Sequence, residues 1–428
     1  MTAKTKKKSK PRAKPKKAAK KKARKKKRNV VLFIPKPEDQ VRRQPGLDAR
    51  RRVLAWPCAG RTAGRSASTP VRLAPPLELE WRKKIGAAAK AAPVISEDGI
   101  LYAADRDGGL RALDAETGEE RFRFHTDPIL GASAAWPLVV QKIVPGDKVP
   151  ISSMPAIFEW HLLFGDDEGI FYCVRRGDFE VIWRKSAPLS LEARSGEAYR
   201  APACAGGTVF TVDADGNLYA ASARNGTTHF SRFLRGRPQA APALGAGLVL
   251  VATKPIYAGE ASQLHAIDAN NGERRWRADL PGVPRALAAN HEHAFVGGDF
   301  GLLVLDLARG GPLHRIDTGP VTAPLAVEGG RVYVPVAGAI VCVQGADVLW
   351  RRETGGRDLP ELVPGAAPAL ALVVLWVATK NALVALEAAT GKTVGKVPVA
   401  GGIVGGPVLA ANRLYVATDT GNVLAYKT

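Results

Sequence analysis

Three short acidic runs, Asp105-Arg106-Asp107-Gly108, Asp166-Asp167-Glu168-Gly169 and Asp213-Ala214-Asp215-Gly216-Asn217, place carboxylates near enough to attract an oxygen-seeking cation such as calcium. The runs are short for cation loops, and hairpin turns select the same residues for backbone reasons, so tight turns are expected there. His291 and His293 alternate as two ligands on one strand face would, but no third ligand accompanies them. Cys58, Cys173, Cys204 and Cys342 lie far apart and form no C-x-x-C pair, which reads as buried structural thiols. No Ser-His-Asp arrangement or phosphate-binding glycine loop stands out. The expectation is therefore no catalytic residue, no cofactor ligand and no metal ligand.

What would position these turns is a repeat. The segment AAPVISEDGILYAADRDGGLRALDAETGEERFRF, residues 91–124, begins with a small residue and Pro and runs through a Gly turn into alternating apolar residues, ending in an aromatic strand. Related copies start near Pro155, Pro202, Pro242, Ala286, Pro324, Pro368 and Pro407, making eight. The strands are short and rich in β-branched and aromatic residues, as in Ile100-Leu101-Tyr102-Ala103-Ala104, with turns at Asp107-Gly108, Asp215-Gly216 and Thr420-Gly421. A lone four-stranded sheet cannot cover both of its faces, so such units pack around an axis until the ring closes.

Closure is visible in the sequence. The last copy ends after Val423-Leu424-Ala425-Tyr426 and lacks an aromatic fourth strand, while LELEWRKKI, residues 77–85, looks like an isolated fourth strand ahead of the first copy. The outer-strand positions Trp81, Phe122, Trp183, Phe230, Trp276, His314, Trp350 and Gly395 then number eight, matching the starts. The expected fold is all-β: an eight-bladed β-propeller of four-stranded antiparallel blades over residues 77–428, closed by pairing the strand around Trp81 with the C-terminal strands.

The segments ALDAETGEERF (112–122), AIDANNGERRW (266–276) and, less fully, ALEAATGKTVG (385–395) resemble the A-x-D-x-x-T-G-x-x-x-W docking motif of the pyrroloquinoline-quinone (PQQ) repeat propellers. The resemblance spans roughly residues 77–428. It implies that the aromatic wedges between adjacent blades, while Asp114 and Asp268 bond turn backbone and Gly118 and Gly272 take positive φ. Trp81, Phe122, Trp183, Trp276 and Trp350 are the expected wedges. The family includes quinoprotein dehydrogenases, which carry calcium, PQQ, a catalytic Asp and usually adjacent cysteines. No Cys-Cys pair occurs here, and the expectation is a non-enzymatic scaffold that binds protein partners through its loop faces. The longest break in the repeat, residues 126–149, offers Trp136, Leu138 and Val139 as partner contacts. The alternative within the resemblance is an outer-membrane assembly factor of the BamB type.

Residues 1–28 hold 17 Lys or Arg and no Asp or Glu, +17 of the formal +22. This composition reads as a disordered tail that binds nucleic acid or another polyanion without sequence preference, through Lys6, Lys7, Lys8, Lys16, Lys17 and Lys20–Lys22 together with Arg24, Lys25, Lys26, Lys27 and Arg28. Residues 29–76, rich in Arg, Pro and Ala, read as a flexible linker. The apolar run Val30–Ile34 is too short for a secretory signal, and Pro57 sits where a lipoprotein signal before Cys58 would need a small residue. No apolar run is long enough to span a membrane as a helix. The expectation is a monomeric, cytoplasmic propeller without cofactor, with an envelope location as the alternative.

Overall fold

The computed structural model describes residues 55–126, 149–151, 153–186 and 199–428, and every regular element among them is a β-strand. The strands form eight sheets, each a four-stranded antiparallel meander, with one added strand in two of them. In blade 1 the chain steps outward through Val94–Ile95, Ile100–Ala104, Gly109–Asp114 and Glu120–His125. The two middle strands are buried from Leu101 to Ala104 and from Gly109 to Leu113, because neighbouring blades cover both of their faces. The outer strand is mostly exposed and correspondingly polar. Blades 2 to 8 repeat this gradient, from the first strand at Ala156–Phe158 to the last third strand at Asn422–Lys427.

Closure occurs where the sequence places it. Glu78–Lys84 pairs antiparallel with Asn422–Lys427, with Trp81 opposite Ala425, and so supplies the outer strand of blade 8. An ion cluster fastens the seam. Glu80 receives two bonds from Arg413, at 2.6 and 3.0 Å, and one from Lys427 at 2.8 Å. These charged bonds hold the Glu80 pKa well below its ordinary 4.5, at about 2.

The meander gives the ring two unlike faces. The first-to-second and third-to-outer turns share one face and bond each other, as in Ala115 N–H to Gly99 O at 2.9 Å and Ala223 N–H to Gly207 O at 2.9 Å. The second-to-third turns share the opposite face with the connections between blades, as in Arg106 N–H to Ala88 O at 3.0 Å and Asp419 N–H to Gly402 O at 2.9 Å. We call the latter the connection face.

One expectation needs correction. Residues 29–76 were assigned to a flexible linker, yet within the described part Trp56, Ala67 and Leu73 are buried and Ser68–Thr69 adds a parallel strand to Ala369–Ala371 of blade 7. The segment is held by backbone bonds, which its Arg, Pro and Ala composition does not advertise.

Candidate functional site

The outer-strand wedges sit where the docking motif places them. Trp81, Trp183, Trp276 and Trp350 donate their indole N–H to carbonyls of the next blade's turn: Ala115, Ala223, Leu307 and Ala388, at 3.2, 3.1, 2.8 and 3.1 Å. Each ring lies flat on the left-handed glycine of that turn. A Cβ on Gly118 would stand 2.8 Å from the Trp81 ring, and one on Gly272 would stand 2.5 Å from Phe230. Asp114 and Asp268 accept turn N–H groups as expected, Asp114 from Glu116 and Thr117, Asp268 from Asn270 and Asn271.

The exceptions explain themselves. In blade 2 the glycine position belongs to Phe179, which adopts φ 58° and packs edge-on to Phe122 with ring centroids 6.3 Å apart. In blade 6 the turn is short, and nothing approaches the Cβ position of Gly345 within 4 Å, consistent with His314 in the preceding blade. Blade 7 carries Gly395 because blade 8 has no third-to-outer turn to receive a wedge; its outer strand comes from the other end of the chain. Pro75, leading into that strand, covers the vacant position, with its Cγ 2.3 Å from where a Gly395 Cβ would stand.

The centre of the ring holds what the sequence did not suggest. Residues 56–69 run around the axis along the free edges of the inner strands. Trp56 exchanges two backbone bonds with Ile95 of blade 1. The carbonyls of Pro57, Ala63, Gly64, Ser66 and Ala67 then accept the N–H groups of Ile157, Leu244, Ala289, Val327 and Leu370, at 2.7 to 2.9 Å, in blades 2, 4, 5, 6 and 7. Gly64 is required there, since a Cβ would lie 2.4 Å from the Ala289 carbonyl oxygen. Arg65, 5% exposed, fills the gap at blade 3. Its guanidinium donates to Ala201, Pro202 and Pro242 O at 2.8, 3.2 and 3.0 Å and to Ala59 O at 2.8 Å. All the bonded inner-strand positions lie toward the first-to-second turns, so this plug closes the channel on the face opposite the connections. The sequence signals that might have found it are Trp56 and Leu73, apolar residues with no place in a solvated linker.

The three acidic runs are turns. Asp105, Asp166 and Asp213 each use Oδ1 to accept the N–H groups two and four residues on, at 2.8 to 3.1 Å. Asp166 and Asp213 also receive a Tyr hydroxyl, from Tyr172 and Tyr219. Burial pushes Asp166 up to about 7. His291 lies in the Asn290–His293 turn and only His293 enters a strand, so the two do not alternate on one strand face. Cys58, Cys173 and Cys342 are buried, Cys204 half-buried, and all are free thiols. Burial raises each of them, Cys173 to about 12, which keeps them protonated.

Among the described residues no three of His, Cys, Asp and Glu stand together as a metal site. The channel side chains do not fit a quinone and its calcium, since one mouth is filled by the plug and the buried carboxylates are committed to their own turns. Trp136, Leu138, Val139 and the basic tail lie outside the described residues. The connection that carries Trp136 leaves and returns on the connection face, where Thr126 Oγ donates to Val149 O at 2.7 Å.

A closed ring of eight four-stranded blades, locked by indole-on-glycine wedges, defines a repeat propeller. The chain belongs to the PQQ-repeat family described as outer membrane protein assembly factor BamB, whose model matches residues 134–289, 262–374 and 337–428, more than half of the chain. Among solved structures it is similar to BamB from Moraxella catarrhalis, with 15% identity over 83% of this chain and 98% of that one and a TM-score of 0.59. It is similar to the quinohemoprotein alcohol dehydrogenase from Comamonas testosteroni, with 14% identity, coverage of 89% and 82% and a TM-score of 0.65. The computationally designed Ika8 protein gives 14%, 84%, 99% and 0.61. At such identities the likeness is one of fold. None of the curated proteins matches the chain.

Proposed function

We propose that this chain is a non-enzymatic propeller scaffold that binds protein partners through its connection face. The observation carrying this is the asymmetry of the ring. The opposite mouth is filled by residues 56–69, while the long breaks in the repeat, residues 126–149 and 187–199, join an outer strand to the next inner strand and so open on the connection face. Blade 4 adds to that face a second strand extended to Pro255, an added strand at Gly236–Pro238, and Tyr257 at 71% exposure. Irregular connections on a rigid ring are where binding residues concentrate. A photo-crosslinking amino acid at Leu138 or Tyr257 then yields discrete protein adducts in cells, and one at Gly207 or Asn412, on the plugged face, does not. The reverse pattern, or none at either face, would overturn the proposal.

The family match favours a second reading, an assembly factor in the cell envelope. Fractionation separates the two: recovery in the membrane or periplasmic fraction supports the envelope reading, recovery in the cytosol the other. The basic residues 1–28 add polyanion contact in either case, and deleting them should abolish retention on heparin at low salt.

A further inference from the structure

The near-neutral ring conceals a separation of charge. Residues 78–428 carry a net −1, but the eight outer strands hold fifteen Lys or Arg against six Asp or Glu, a net +9, so the remainder of the ring is acidic by about the same amount. The excess has a fixed address. In seven blades the residue immediately after the wedge position is Arg or Lys and exposed; in blade 3 Ser231 intervenes and Arg232 takes that place. The pairing registers put these residues at equivalent points of equivalent strands, one per blade around the rim.

Two of the eight are neutralised locally, Arg123 by Glu120 and Arg351 by Glu353. Arg82, Arg184, Arg232, Arg277, Arg315 and Lys396 have no carboxylate partner among the described residues. Charges on outer strands do protect sheet edges from pairing with other chains. Protection needs a charge of either sign, however, and eight of one sign at one register position exceeds it. Like charges spaced around a closed ring also repel one another, which a bound polyanion relieves.

We propose that this rim is a cationic belt that binds single-stranded nucleic acid through its phosphates, independently of the tail. A flexible strand can follow a curved rim, whereas duplex DNA is stiff and resists tight bending, and a flat membrane meets only a few blades at a time. The absence of aromatic residues flanking the belt cations in most blades makes the contact electrostatic, without base preference.

The test uses the full chain with Lys20, Lys21, Lys22, Lys25, Lys26 and Lys27 changed to Gln, so that the ring is measured without most of the tail charge. Fluorescence anisotropy of a labelled oligothymidylate is followed over a KCl series. Adding Arg184→Gln, Arg277→Gln, Arg315→Gln and Lys396→Gln should lower affinity at least tenfold at low salt, and the slope of log K against log salt should fall by about 3, four phosphate contacts at roughly 0.7 each. An unchanged thermal midpoint shows that the variant is folded; if it is not, the four single variants, each losing about 0.7 of slope, replace it. No binding by the tail-neutralised parent, or an unchanged slope in the Gln variant, would overturn the proposal. So would capture of phosphatidylglycerol vesicles with no capture of oligothymidylate.

Discussion

Replacing Gly118 with Ala tests whether the wedge holds neighbouring blades together. Gly118 has φ 72°, and a Cβ added there would meet Trp81 Cδ2 and Cε3 at 2.8 Å. Gly345, in the corresponding turn of blade 6, has φ 61° and nothing within 4 Å of its Cβ position. Both substitutions incur the left-handed cost of about 1–2 kcal/mol. Gly118→Ala must also push the indole outward by most of an ångström, adding about 1–3 kcal/mol of overpacking. It weakens the Trp81 Nε1–Ala115 O bond, 3.2 Å long, worth about 1 kcal/mol net.

The expected losses are therefore about 3–5 kcal/mol for Gly118→Ala and about 1–2 kcal/mol for Gly345→Ala. The sharper statement concerns Trp81→Ala. In that background the ring is gone, and Gly118→Ala should cost no more than Gly345→Ala, a coupling of about 2 kcal/mol in the double-mutant cycle. Urea denaturation followed by far-ultraviolet circular dichroism measures all four proteins without relying on indole fluorescence. A coupling near zero, or equal costs at the two glycines, would show that the wedge is an ornament of the turn.

Arg65→Met keeps the length of the plug side chain but leaves the Ala59, Ala201, Pro202 and Pro242 carbonyls without their donor; a loss of about 3 kcal/mol or more is expected from stranded buried acceptors, and an equilibrium stability within 0.5 kcal/mol of wild type would remove the plug from the list of structural supports. Stability against pH should show two opposed limbs. Glu80, depressed from 4.5 to about 2, contributes stability that is complete above 4.5 and is lost as pH falls toward 2. Asp166, raised from 3.8 to about 7, holds in the folded state a proton that the unfolded chain releases, so its contribution is complete below 3.8 and is lost as pH rises through 7. Glu80→Gln should erase the acid limb and Asp166→Asn the neutral one; persistence of either limb in its own variant refutes the assignment.

The parts of this fold legible in the sequence are those with a local period. A wedge, a glycine three to four residues before it and an Asp at the turn recur at each blade because each answers a requirement within its own hairpin or the next. The closing strand was legible for a related reason: the last copy was one strand short and LELEWRKKI was one strand in surplus. Phe179 was not legible, since nothing in Arg175-Arg176-Gly177-Asp178-Phe179 announces that the phenylalanine, and not Gly177, takes the left-handed conformation. His291 misled because alternation was read where the chain turns. The rim cations were in plain view, but a composition summed over the whole ring cancelled them against acidic turns.

The plug was hidden for a deeper reason. Its contacts are carbonyl oxygens meeting the N–H groups of inner strands, and a backbone donor or acceptor has no identity that sequence can display. Yet the inner strand of every blade presents an unpaired edge to the channel, and buried N–H groups demand partners. A ring whose channel is too narrow or too dry for water must therefore recruit something to that edge, and a segment of small residues is the form that fits, because bulk would hold the backbones apart. Residues 56–69 meet this demand in blades 1 to 7, with Arg65 standing in at blade 3, and Glu78–Lys84 completes blade 8. One stretch of about thirty residues thus contacts every blade, so the ring and its N-terminal segment must be completed together. The same stretch decides which face is left to act, because the mouth it fills is the one the long connections do not share.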